Sequence, residues 1–102
     1  MMTVNVLLSG RLKLDGFGRS HPMNEDTTFR LALREGSTVR DAIGGMGVPS
    51  DRVTMTMLNG RKCQVETGLQ SGDRVILIPQ DVAALWRALN TQNLGVGIGS
   101  DR

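Results

Sequence analysis

The chain has 102 residues and a formal charge of +2, from 12 basic and 10 acidic side chains. That is one domain with a single modest core and no room for an enclosed cofactor chamber. The charges alternate in sign with no Lys/Arg run, which argues against nucleic acid as a partner; the lone Cys63 excludes a disulfide framework or a cysteine-held iron–sulfur cluster.

No apolar run reaches membrane-spanning length and no basic leader opens the chain, so the expectation is a cytoplasmic protein without a membrane partner. With only Phe17, Phe29 and Trp86 as aromatics, the core must be built from aliphatic residues and Met. Residues 3–8 alternate, with Val4, Val6 and Leu8 on one face of a half-buried strand. Gly10 to Asp26, rich in Gly and charge, reads as a long, mobile, protruding loop. Residues 28–34 alternate again, with Phe29, Leu31 and Leu33 facing in. Thr38 is a helix N-cap, and Asp41 three residues on completes a capping box. Val39, Ala42, Ile43 and Met46 form the inward stripe of a short helix that ends near Gly47. Residues 53–57 are a third strand, Asn59 and Gly60 a two-residue hairpin turn, residues 62–65 a short fourth strand. After a turn at Ser71, Gly72 and Asp73, residues 74–78 are apolar on both faces, which suits the middle of a sheet covered by a helix. The expected core is Val4, Val6, Phe29, Leu31, Val39, Ile43, Met55, Val75 and Leu77.

Three segments carry a resemblance: Glu35-Gly36-Ser37-Thr38-Val39-Arg40-Asp41, Met57-Leu58-Asn59-Gly60-Arg61, and the run from Leu69 through Gly72 and Asp73 to Pro79. In this order and spacing they resemble the MoaD/ThiS family of ubiquitin-like sulfur carriers, over roughly residues 2–79. The resemblance implies an α+β, ubiquitin-like β-grasp: a mixed sheet with one packed helix, first and last strands adjacent at its centre. It also implies a domain without catalytic residues, a handle that docks on an adenylating enzyme and a synthase while a Gly-Gly tail is activated. Residues 80–102 contain no Gly-Gly pair. The chain therefore divides into a β-grasp domain, 1–79, and an extension, 80–102, predicted as a C-terminal helix and a flexible tail. Its expected role is that of a non-catalytic adaptor or small subunit of a partner enzyme. The alternative is a sulfur carrier for molybdopterin or tungstopterin, thiamine or cysteine-type sulfur delivery, which would require C-terminal processing.

In the extension, Asp81 suits a helix N-cap, and Val82, Leu85, Trp86 and Leu89 fall on one helical stripe over about residues 81–90. Asn90 to Asn93 read as a polar break. Leu94, Gly95, Val96, Gly97, Ile98 and Gly99 then alternate apolar residue and Gly. The stripe either caps the domain's own sheet or docks on another protein, and the tail is either a loose end or an extended segment for a partner's groove. The candidate partner-binding residues are Leu85, Trp86, Leu89, Leu94, Gly95, Val96, Gly97, Ile98 and Gly99. The partner is a protein: a larger enzyme subunit, an adenylating enzyme and a synthase for a carrier, or a second copy forming a homodimer. His21, in the long loop, and Cys63, after the hairpin, lack the neighbours of a general base or nucleophile. No catalytic residue, metal set or cofactor site is expected.

Overall fold

The structure is a computed structural model that describes the backbone of residues 1–97. Ile98 and Gly99 lie outside the described residues, as do the side chains of Trp86, Leu94 and Val96. Five strands, β1 (Met2–Leu8), β2 (Phe29–Leu33), β3 (Met55–Leu58), β4 (Arg61–Cys63) and β5 (Arg74–Ile78), form one sheet in the order β2-β1-β5-β3-β4. The first and last strands are parallel neighbours at its centre, with Val6 beside Val75 and Leu8 beside Leu77; every other pairing is antiparallel. The helices are α1 (Arg11–Leu14), α2 (Val39–Gly45) and α3 (Gln80–Gly97).

The capping box forms at the start of α2: the Thr38 backbone N–H donates to Asp41 Oδ2 (2.8 Å), and its hydroxyl to the same oxygen (3.2 Å). This satisfies donors that a helix start leaves open. The stripe Val39, Ala42, Ile43 and Met46 is buried against Val4, Val6, Leu31, Val75 and Leu77. At the hairpin, Asn59 and Gly60 both take positive φ, 51° and 88°, as a type I′ turn demands. Asn59 also bonds the following turn: its amide donates to Asp73 Oδ1 (2.9 Å) and its Oδ1 accepts from the Arg74 N–H (2.9 Å).

Two expectations are corrected. Met55 is only half-buried, and Thr56 takes the core position on β3, 3% exposed. The register decides the face: Thr56 sits opposite the inward Leu77 of β5 and Cys63 of β4, so Met55 and Met57 point to the other side. Burying Thr56 is tolerable because its hydroxyl donates to the Cys63 carbonyl (2.9 Å) and accepts from the Cys63 thiol (3.4 Å). The segment from Gly10 to Asp26, expected to protrude, instead lies against the body. Leu12 is fully buried, and Phe17 packs on the core beneath the Arg52 guanidinium, 5.5 Å away. The Asn24 amide donates to Asn5 Oδ1 (2.8 Å) and Thr28 Oγ1 (3.0 Å), and Arg74 reaches Asp26 at 2.6 Å. Its apolar anchors Leu12 and Phe17 were present in the sequence but too widely spaced for any regular period to reveal them.

The same contacts make the segment sensitive to acid. The Thr28 hydroxyl, then its backbone N–H, with Arg74 beside them, hold the Asp26 carboxyl below its ordinary value; a hydrogen bond from Arg52, with Arg11 nearby, does the same for Asp15. Because the folded values are depressed, the stabilisation is present above the unfolded pKa of about 3.9 and is lost as pH falls through the lower folded values. Acidification below about pH 4 is expected to shift the amide resonances of Asn24 and Arg30 before those of β5. Asp26→Asn should abolish that early step at Asn24; its persistence would mean that Asp26 does not hold the segment.

Candidate functional site

The strand β5 carries two apolar rows. Val75 and Leu77 enter the core, while Ile76 and Ile78 stand half-exposed on the face of the sheet opposite α2. The register lines up Leu7, Ile76, Met57 and Lys62 across four strands, with Met55 beside Ile78 in the next row. This open face is thus apolar at its centre, and Lys62 stands at its β4 margin.

The helix α3 begins directly after Pro79, with Asp81 in its first turn, where a carboxylate favours the helix dipole. Val82 reaches back to the open face and lines a cleft of about 160 Å³ with Met55, Met57, Lys62 and Ile78. Ala83 is fully buried. Beneath this turn passes Gly10, at φ 53°: a Cβ there would collide with Val82 Cγ2 and stand 2.9 Å from Asp81 Oδ2. Beyond this first turn the described side chains of α3, at residues 84, 85 and 87–89, are exposed. Leu85 is 61% and Leu89 52% exposed.

The predicted partner-binding set is therefore divided. Leu85 and Leu89 stand free on α3. Trp86 lies on the same helix, its side chain outside the described residues. Leu94, Gly95, Val96 and Gly97 are helical rather than extended, which corrects both the predicted break at Asn90 to Asn93 and the Gly-alternating extended tail. Asn90, Thr91, Gln92 and Asn93 include neither Gly nor Pro; each costs only a few tenths of a kcal/mol relative to Ala, too little to stop a helix already nucleated. Among the described side chains, Val82 and Ala83 are the ones that cap the domain's own sheet. Sequence reasoning missed the open-face cluster of Met55, Met57, Ile76 and Ile78. Its signal was the unbroken apolar run of β5, whose second face needs something to cover it.

Chemically, this surface offers burial rather than bond-making. His21 Nε2 lies 3.0 Å from the Gly45 carbonyl oxygen, so the histidine ties the long segment to the end of α2. Cys63 is half-buried, its thiol turned to Thr56. Among the described residues no three His, Cys, Asp or Glu side chains gather closely enough to hold a metal ion, and no helix is long and apolar enough to cross a membrane.

The model of a family described as Mut7-C ubiquitin matches residues 1–84. No curated protein matches the chain. Among solved structures, small archaeal modifier protein 1 of Haloferax volcanii is similar at 19% identity, over 76% of this chain and 93% of its own, with a TM-score of 0.58. A second structure of that modifier gives 18% identity, 78% and 98% coverage and the same TM-score. A protein described as molybdopterin converting factor, subunit 1, from Pyrococcus furiosus is similar at 22% identity, over 78% of this chain and 98% of its own, with a TM-score of 0.55. At these identities the likeness is one of fold, and that fold is the ubiquitin-like β-grasp of small modifiers and MoaD-like subunits.

Proposed function

The chain belongs to the Mut7-C ubiquitin family, and on that premise we propose that it is a non-catalytic adaptor, a MoaD/ThiS-like small subunit that acts by being bound through its C-terminal extension. The observation that carries this reading is the passage from β5 into α3. A sulfur carrier presents a slim, extended tail to a narrow activation channel. Here Pro79 is followed at once by an 18-residue helix, about 10 Å across with its side chains, and by no Gly-Gly pair. A helix in that place fits a docking arm and not a substrate tail. The exposed Leu85 and Leu89 give the arm its anchors, each contributing roughly 1.5–3 kcal/mol when buried.

Sulfur carriage is the competing reading, and one measurement separates the two. Intact-mass analysis of the protein from its native host is expected to find α3 retained and no sulfur in place of a carboxylate oxygen. A chain trimmed within residues 80–102 and ending in a thiocarboxylate would replace the adaptor with the carrier.

A further inference from the structure

We infer that α3 is a reciprocal dimerisation arm: the Leu85–Leu89 stripe of each copy lies on the open sheet face of a second copy, against Met55, Met57, Ile76 and Ile78. This rests on the reading that the extension is the binding surface, and it names what occupies that surface.

Four observations lead to a second copy. From Val82 to Leu89 the helix carries one charged side chain, Arg87, so little of that stretch is built for water. Among the described side chains, only Val82 and Ala83 turn back onto its own domain. Val82 and Ala83 hold its first turn at the Ile78 edge of the face, and a rise of about 1.5 Å per residue carries Leu89 some 10 Å further along the axis. Among the described side chains, Leu85 and Leu89 of the arm are exposed and Ile76 and Ile78 of the face are half-exposed, so each supplies what the other lacks. Such a pairing closes on itself about a two-fold axis, with the same two patches used on both sides. The charge pattern agrees: α3 presents no carboxylate after Asp81, so it matches the neutral centre of the face and leaves Lys62 hydrated at the rim.

The size of the contact sets its strength. The 14 residues after the anchored first turn, 84–97, are about 21 Å long and about 10 Å wide, so two such arms laid on two faces remove roughly 840 Å² from water. That lies below the lower bound of about 1,200 Å² for stable, specific interfaces, which makes the dimer weak and concentration-dependent.

Sedimentation velocity from low micromolar to near-millimolar protein is expected to show a reversible monomer–dimer equilibrium. Leu85→Asp with Leu89→Asp changes side chains that are exposed in the monomer. The variant should keep the wild-type unfolding midpoint and raise the dissociation constant at least about a hundredfold. A second experiment identifies the geometry. In a Cys63→Ala background, a Leu85→Cys variant mixed with a Met57→Cys variant should oxidise chiefly to the covalent heterodimer, arm to face. A predominance of Leu85→Cys homodimer would mean that the helices pair with each other and would overturn the exchange. Wild-type protein that stays monomeric throughout, or a double Asp variant that still dimerises, would overturn the inference too. Neither result touches the adaptor reading, which the intact-mass measurement tests separately.

Discussion

Replacing Leu77 with Ala lowers the thermal unfolding midpoint by more than about 10 °C. Leu77 is fully buried on β5, between Leu8 of β1 and Thr56 of β3, with α2 packed on the same face. A buried Leu→Ala change costs about 2–5 kcal/mol, because the cavity adds to the lost transfer energy. In a domain near 100 residues each kcal/mol moves the midpoint by about 4–8 °C, and the total stability of such a domain is only about 5–15 kcal/mol. The control is Leu85→Ala, on an exposed side chain, which at low protein concentration should leave the midpoint nearly unchanged. Differential scanning calorimetry on both variants decides the matter. Equal shifts would mean that the centre of the sheet is not the centre of the core.

Replacing Gly10 with Val uncouples α3 from the domain. Gly10 takes φ 53° with ψ −133°, a region that side chains with a Cβ avoid. Its missing Cβ is also where Val82 and Asp81 sit. The backbone penalty alone is about 1–3 kcal/mol, which corresponds to a drop of roughly 5–15 °C. Val82 is β-branched and stiff at χ1, so relief of the collision falls chiefly on the first turn of α3, whose lifting would expose Ala83. The two contributions separate in a cycle with the chain cut after Pro79. In the shortened protein the steric partner is gone, so Gly10→Val should cost only the backbone part. An identical loss with and without α3 would show that the helix does not bear on Gly10.

The order of elements was legible because each carried its own local signal. The Thr38–Asp41 box, the Asn59-Gly60 turn and the doubly apolar β5 are short-range features that tertiary context did not override. Eight of the nine expected core residues are buried for the same reason. The ninth, Met55, shows where local reading stops. Alternation along β3 fixed which residues share a face, but the register with β5 chose which face turns inward, and the register is not written in β3. That slip also hid the candidate site, because placing Met55 in the core removed it from the surface where it meets Ile78 and Val82. The extension was half-readable: its stripe is on a helix as expected, but nothing in residues 90–97 told a helix that continues from one that ends, since their propensities are nearly neutral and the Gly residues come late.

The parallel pairing of β1 with β5 joins Asn5 through Leu8 to Arg74 through Leu77. Those contacts span most of the domain's sequence, and they form the sheet's central seam. During synthesis β1 emerges long before the strand that flanks it, so Val4, Val6 and Leu8 wait without their cover on that side. Without β5 the sheet lacks the strand that joins β1 to β3, so closure of the seam is expected to come late and cooperatively. Such non-local pairing slows folding and lengthens the exposure of an apolar strand to chaperones and to aggregation. The neighbouring antiparallel strand β2, which follows β1 after α1 and well before β5, is then the nascent chain's first protection: it covers one edge of β1 while the other waits for the end of the domain to appear.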